Sequence, residues 1–237
     1  MGLQTFTWMI EGTMMHTDSL GTKQLLRPKQ VNLMTAGYGI SHTEVAPETE
    51  THMHAAQLWI ALPDDKMNMA PCFEHYPELP VVEKDQDEFT VLVGEFLKTK
   101  SPVAVHTELL GVDLTAKEST TTRITLNPKF EYGFMALDGG AVVNGHELTE
   151  DNMVVLEPGV AEIEIQLHAG SRILLLGGER VESPILLWWN FVGRTQEELC
   201  NARDHWIEQD ERFGNIPDYP GPRLEAPAFP DKMRASK

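Results

Sequence analysis

The chain has 237 residues, and 36 acidic against 19 basic side chains give it a formal net charge of −17. Apolar residues make up 41% and charged residues 23%, a balance typical of a soluble globular protein. This composition excludes a chain that is disordered over its whole length. Because so acidic a chain repels phosphate groups and anionic lipids, we expect neither a direct nucleic-acid partner nor a membrane partner.

Strand signals dominate residues 1–190. Gln4 to Ile10 is rich in β-formers and is followed by Glu11-Gly12, so we predict a strand there that a turn closes. Turn residues then recur at short intervals, at 18–21, 37–39, 139–140, 144–145, 158–159 and 177–178. Short strands between frequent turns predict an all-β sandwich or barrel.

One helix is predicted near the end of the chain, over about residues 195–213. Thr195 and Glu198 have the spacing of a capping box, in which each side chain satisfies a free backbone amide, and Gly214 is placed to end the helix. Three apolar positions share one helical face: Leu199, Ala202 and Trp206. Five prolines follow: Pro217, Pro220, Pro222, Pro227 and Pro230. They predict an extended tail over residues 215–237.

An internal repeat indicates a duplicated barrel. Residues 9–12 (MIEG) resemble residues 136–139 (ALDG), and residues 31–34 (VNLM) resemble residues 153–156 (MVVL). Residues 31–34 and residues 153–156 are each followed by a turn that ends in glycine, at Gly37 and Gly159. Coincidence between common turn residues is the alternative, but the conserved order and spacing favour duplication. The proline-rich residues 63–82 are expected to form a long loop.

Two histidine patterns are candidates for chemistry. In a strand, His42 and Glu44 point to one face about 6.6 Å apart, so that an imidazole and a carboxylate can converge on one ion. By itself the pattern is weak, since a His-x-Glu on a solvent face is commoner. His52 and His54 have the same spacing and the same weakness, and His16 is expected to bond only the backbone of the following turn.

The other candidates favour structural roles. Residues 162–168 of the second repeat (EIEIQLH) alternate apolar and polar side chains, so Ile163, Ile165 and Leu167 are expected to fill the barrel and to offer no ligand. Cys72 lies near His75 and is a candidate reactive thiol, although a loop cysteine without a partner is usually inert. Two cysteines, Cys72 and Cys200, make no disulfide framework, which favours a reduced cytoplasmic protein.

The chain resembles the pirin family over nearly its whole length. The resemblance is carried by residues 2–12 (GLQTFTWMIEG), 16–21 (HTDSLG), 27–28 (RP), 34–44 (MTAGYGISHTE), 57–59 (QLW), 62–63 (LP), 174–178 (LLLGG) and 188–192 (WWNFV). Pirins are bicupins, and the resemblance implies two tandem double-stranded β-helix (jelly-roll) barrels. Residues 1–112 correspond to the N-terminal cupin, and residues 113–237 to the C-terminal cupin with its helix and tail.

The resemblance also implies one Fe(II) site in the N-terminal barrel, held by a His-x-His pair and a later His-x-Glu pair. The later pair falls on His42 and Glu44, whereas the His-x-His pair stands just before the glycine that Gly2 matches. Only two of the four ligands are therefore in this sequence, and His52 and His54 inherit no role. A start at an internal methionine is the favoured explanation, and a genuine short form is the alternative.

By resemblance, the expected function is a quercetin 2,3-dioxygenase-type oxidoreductase acting on a flavonol. His42 would be a neutral ligand, and Glu44 would hold the metal and accept the substrate proton. For the chain as given we expect weak iron binding and little turnover. The alternative is a non-catalytic, redox-responsive co-regulator in which iron shapes the binding surface for a protein partner.

Overall fold

A computed structural model describes residues 1–230 together with Met233 and Ala235, and the other positions of the predicted tail lie outside the described residues. Strands dominate the described chain and one α-helix follows them, so the predicted all-β class with a C-terminal helix is confirmed. The chain forms two compact units, residues 1–77 with 181–237 and residues 78–180. This grouping assigns residues 78–112 to the second unit, and the cupin boundary at 112/113 stays a prediction.

The first unit contains two sheets of the N-terminal repeat. Their strands are β1 (Leu3–Glu11), β2 (Met14–Asp18), β3 (Lys23–Leu26), β4 (Val31–Thr35), β5 (His42–Val45), β6 (His54–Ala61) and β7 (Cys72–Tyr76). One sheet has the order β6-β1-β4-β7 and the other the order β3-β2-β5. Strand β7 lies inside the segment predicted as a long loop, because Pro71 and Pro77 stand outside its two ends and leave its amides free to pair.

The second unit has two larger sheets and a short hairpin. Its strands are β8 (Val81–Lys84), β9 (Asp87–Val93), β10 (Glu95–Phe96), β11 (Thr99–Lys100), β12 (Leu109–Ala116), β13 (Thr120–Thr125), β14 (Glu131–Asp138), β15 (Ala141–Val143), β16 (His146–Leu148), β17 (Met153–Leu156), β18 (Glu162–Leu167) and β19 (Arg172–Gly178). The sheets have the orders β17-β14-β19-β12-β9-β8 and β13-β18-β15-β16, and the hairpin pairs β10 with β11.

Both repeats share one pattern of strand pairing. Strand β1 pairs with β4 and β6, as β14 pairs with β17 and β19. Strand β2 pairs with β3 and β5, as β15 pairs with β16 and β18. The segments that resemble each other in sequence thus occupy equivalent places, and the duplication is confirmed. In the second repeat β12 and β13 continue the sheets beyond β19 and β18, whereas β6 and β5 end their sheets within the described residues.

The interior of the second repeat is apolar, as its alternation predicts. Ile163, Ile165 and Leu167 are each at most 2% exposed and belong to one hydrophobic cluster with residues from the facing strands. Polar residues of β18 point the other way: Arg123 of β13 forms an ion pair with Glu164 at 3.1 Å on the exposed face. This barrel is therefore filled by its own side chains.

The chain then returns to the first unit through β20 (Leu186–Trp188), β21 (Phe191–Gly193) and the helix α1 (Gln196–Ile207). The capping box is present: Thr195 Oγ1 accepts from the Glu198 amide at 3.2 Å, and the Glu198 carboxylate accepts from the Thr195 amide at 3.3 Å. Leu199 and Ala202 are fully buried against an aromatic cluster.

The helix ends at Ile207, earlier than the predicted residue 213. Gln209 adopts a positive φ of 59°, and the amides of Gln209 and Asp210 bond back to the carbonyls of Trp206 and His205. These two bonds form a Schellman motif, which stops a helix. A separate 3-10 turn, Glu211–Phe213, follows, and Gly214 caps that turn. In the described part of the chain no helix has the length and apolar character needed to cross a membrane.

Candidate metal-binding and active site

The His-x-Glu pair lies on β5, antiparallel to β2. The register places His42 opposite Asp18 and Glu44 opposite His16. Residues directly opposite each other in an antiparallel pair share a face, so these four side chains lie on one side of the two strands. The spacing correctly predicted that His42 and Glu44 share a face, and the pairing adds two residues to that face.

Asp18 is fully buried and organises the turn after β2. Its Oδ1 accepts from the backbone amides of Leu20 and Thr22 at 2.9 and 3.0 Å, and its Oδ2 lies 3.1 Å from Nε2 of His16. The expectation that His16 bonds only the backbone is therefore wrong. The Asp18 carboxylate takes the backbone amides, and the same carboxylate holds the His16 ring.

Three rings adjoin one another beside this pair. His16 is 1% exposed and stacks on Phe73, with 4.5 Å between ring centroids and 22° between planes. The His42 ring lies 5.7 Å from the His16 ring at an interplanar angle of 19°. Asp18 and Phe73 thus set the orientation of the His16 ring, and the face of this ring lies nearly parallel to the His42 ring.

The Glu44 carboxylate is held from the opposite sheet. Nε2 of Gln57 donates to Glu44 Oε2 at 2.7 Å and lies 3.2 Å from Thr7 Oγ1. The Thr7 hydroxyl in turn approaches Glu44 Oε1 at 3.5 Å. Thr7 of β1 and Gln57 of β6 are directly opposite in register, which is why they reach the same carboxylate.

A polar row continues across that sheet. Thr7 is also opposite Asn32 of β4, and Asn32 is opposite His75 of β7. Nδ1 of His75 lies 2.8 Å from Asn32 Oδ1. This polar row consists of Gln57, Thr7, Asn32 and His75. The equivalent positions of the second repeat are apolar and buried: Leu175 of β19, Phe134 of β14 and Val154 of β17.

The environment of His42 favours the neutral form of its ring. His42 retains solvent access, yet the protein around it desolvates the ring and lowers its pKa; the Glu44 charge opposes this effect and His16 adds to it. A neutral imidazole carries the lone pair that a metal ion requires.

These residues fit an iron site in donor type and fall short of it in number. Imidazole nitrogen and carboxylate oxygen suit iron, but non-haem iron sites use three or more protein ligands. Within the described residues no three His, Cys, Asp or Glu side chains converge. His52 pairs with Glu11 at 3.0 Å on an exposed surface, so it supplies no further ligand here. By the resemblance, His42 and Glu44 would be two of the four ligands that it implies.

Sequence reasoning missed the residues that support the pair. Asp18 and His16 carry the same i, i+2 spacing as His42 and Glu44, a signal visible in the sequence. Its meaning depends on the pairing of β2 with β5, which the sequence does not show. Gln57 has no local signal, because it lies in an ordinary strand and reaches Glu44 only across the barrel.

Known proteins and family profiles match this chain in both repeats. The family profile described as Pirin matches residues 1–60, and the one described as Pirin C-terminal cupin domain matches residues 111–214. A Pseudomonas aeruginosa protein named "Putative quercetin 2,3-dioxygenase" is 46% identical over 234 residues, 99% of this chain and 74% of that protein. A Caulobacter vibrioides "Pirin-like protein" is 33% identical over 211 residues, 86% of this chain and 72% of that protein.

Solved structures match as well. The crystal structure of quercetin 2,3-dioxygenase from Acinetobacter baumannii is 74% identical, with a TM-score of 0.97, and the match covers 100% of this chain and 79% of that one. The bacterial pirin YhhW from Escherichia coli, solved in complex with nickel(II), has a TM-score of 0.61 at 21% identity, covering 76% of this chain and 74% of that one. The second match shows the shared fold.

Proposed function

Since this chain belongs to the pirin family, we propose that it is a quercetin 2,3-dioxygenase-type oxidoreductase acting on a flavonol. The observation that carries the proposal is the 74% identity to the Acinetobacter baumannii quercetin 2,3-dioxygenase across the whole of this chain. The proposed site is the face of the first repeat that bears His42 and Glu44.

We assign His42 and Glu44 as ligands of one Fe(II), which would supply Lewis acidity toward a substrate oxygen. Their donor types support this assignment, as does burial of the His42 ring, which lowers its pKa. The further ligands needed for tight binding are not among the described residues. We therefore expect the 237-residue polypeptide to bind iron weakly, and one tightly held iron per chain would contradict that expectation.

Glu44 is also the proposed acceptor of the substrate hydroxyl proton. Gln57 holds Oε2 at 2.7 Å, whereas the contact of Oε1 with Thr7 is long at 3.5 Å, so Oε1 is the oxygen better placed to take a proton. The hydrogen bond from Gln57 keeps the carboxylate facing the interior while the proton moves.

We propose the cytoplasm as location, because Cys72 and Cys200 are both free thiols.

The test is oxygen uptake by the protein expressed from its own gene in its source organism, loaded with Fe(II) and given quercetin. We expect uptake that depends on the flavonol, and a loss of about 10²-fold or more in Glu44→Gln if Glu44 moves the proton. The matched control is Glu48→Gln, at an exposed position of the following loop, which should keep the wild-type rate.

Absence of uptake by the iron-loaded wild type would overturn the enzyme proposal. It would favour the non-catalytic alternative, in which the same metal shapes a surface for a protein partner.

A further inference from the structure

The loop that leads into β5 is held by a distant part of the chain. This loop, residues 36–41, is called the β4–β5 loop, and His42 follows it directly. One side of the loop is anchored by the first repeat itself: the Tyr38 amide donates to the Met69 carbonyl at 2.9 Å. The other side faces the 3-10 turn that follows α1.

Arg212 of that turn grips the loop at its tip. Its Nε and Nη2 both donate to the Tyr38 carbonyl, at 3.1 and 2.6 Å, and its guanidinium lies 4.0 Å from the centre of the Tyr38 ring. Nη1 lies 3.1 Å from Nδ1 of His205, which ties the same guanidinium to α1. A planar fork that donates twice and stacks at once is a geometry that lysine does not reproduce.

Backbone packing around Arg212 is close. A Cβ on Gly39 would lie 2.8 Å from the Arg212 carbonyl oxygen, and a Cβ on Gly214 would lie 2.7 Å from the Ser19 Cβ. Ser19 is itself joined to the loop, since its amide donates to the Ser41 carbonyl at 2.9 Å and its Oγ accepts from the Ser41 amide at 3.2 Å. The turn after α1 thus contacts both the turn that follows His16 and Asp18 and the loop that precedes His42.

We propose that Arg212 is a positioning residue for the His42 side of the site. By fixing the β4–β5 loop against the 3-10 turn, it sets where β5 begins and hence how the His42 ring lies beside His16. Its effect on turnover rests on the proposed function; its effect on the loop and on the His42 ring does not.

The experiment compares Arg212→Ala with Arg203→Ala, a control on α1 whose arginine contacts Asp204 and Phe229. Hydrogen exchange of a peptide covering residues 36–42 should become about tenfold faster in Arg212→Ala, because both charged hydrogen bonds to the Tyr38 carbonyl are lost. The imidazole NMR signals of His42 should also shift. Neither change is expected in the control.

Two further variants guard against a folding defect. Arg212→Lys keeps the charge and one donor, so it should give an intermediate change. Gly39→Ala keeps the arginine side chain, but its new Cβ pushes the β4–β5 loop away from the backbone of Arg212. It should therefore shift the same imidazole NMR signals of His42. Unchanged exchange in residues 36–42 of Arg212→Ala would overturn the proposal. Faster exchange with unchanged His42 signals would also contradict it, because Arg212 would then stabilise the loop without positioning His42.

If the iron-loaded protein turns over quercetin, kcat of Arg212→Ala should fall by a larger factor than KM changes. A failure of the dioxygenase proposal would remove this readout alone.

Discussion

Asp18 and Glu44 lie on paired strands of the same face, and their surroundings separate an architectural carboxylate from a functional one. Asp18 has no solvent exposure and accepts from two backbone amides as well as from His16, so its position belongs to the fold of the turn. Glu44 is only partly buried and is held by the side chains of Gln57 and Thr7. Side-chain donors leave a carboxylate able to exchange partners, as a ligand must.

His75, in the polar row, should make the stability of the folded protein depend on pH. Burial lowers the pKa of His75 below its ordinary value of 6.5, and the charge of Arg27 adds to the effect. The unfolded chain therefore binds a proton more readily than the folded chain, so stability is lost as pH falls below 6.5. We expect His75→Gln to lose less stability than the wild type in urea titrations between about pH 7.5 and about pH 5.5.

The control for this measurement is His146→Gln, whose histidine is exposed on β16 and which should follow the wild type. If His75→Gln and the wild type lose stability equally over the same range, protonation of His75 is not coupled to unfolding.

Among the elements, α1 shows which part of a helix a sequence specifies. Its start depends on Thr195 and Glu198, three residues apart, and both the position and the reciprocal bonds were readable in advance. Its end depends on Gln209 adopting a left-handed conformation, although Gly214 was available four residues after Asp210. Trp206 and Phe213 pack edge to face, with 5.3 Å between ring centroids, in the cluster beneath the helix. This contact favours an early turn over a longer helix.

The capping box yields a stability prediction. Thr195→Ala removes the acceptor for the Glu198 amide, so we expect a loss of about 1 kcal/mol in the free energy of unfolding. Urea denaturation measures it, with Thr51→Ala at an exposed loop position as the matched substitution. An equal midpoint for the two variants would mean that the cap is satisfied by water instead.

For the molecule as a whole, the two repeats use one scaffold for different purposes. His16 and Val143 are 127 residues apart, the offset of the repeat, and they lie opposite Glu44 and Ile165 respectively. By the same register His42 corresponds to Ile163. The positions that carry the candidate ligands in the first repeat thus carry core isoleucines in the second, each at most 2% exposed.

Substitutions at equivalent positions of the two repeats should therefore change the free energy of unfolding by very different amounts. Ile165→Ala empties part of a closed core, and we expect it to cost about 2–5 kcal/mol of unfolding free energy. Glu44→Ala removes a partly exposed polar side chain, and we expect a change of about 0.5 kcal/mol or less. Urea denaturation of both variants decides: a cost at Glu44 as large as at Ile165 would make Glu44 a structural residue.

The sequence by itself determined the features that depend on nearby residues or on self-similarity. These are the strand alternation of β18, the capping box at Thr195, the duplication, and the shared face of His42 and Glu44. Each follows from spacings of two to four residues or from a nearly constant offset. The tertiary structure alone decided which residues support the pair. Gln57 reaches Glu44 through the register of β1 with β6, Asp18 and His16 reach the pair through β2 and β5, and Arg212 bonds Tyr38 from 174 residues away. The physical reason is that the choice of strand partners and the anchoring of loops depend on contacts between segments far apart in the chain, which no local pattern encodes.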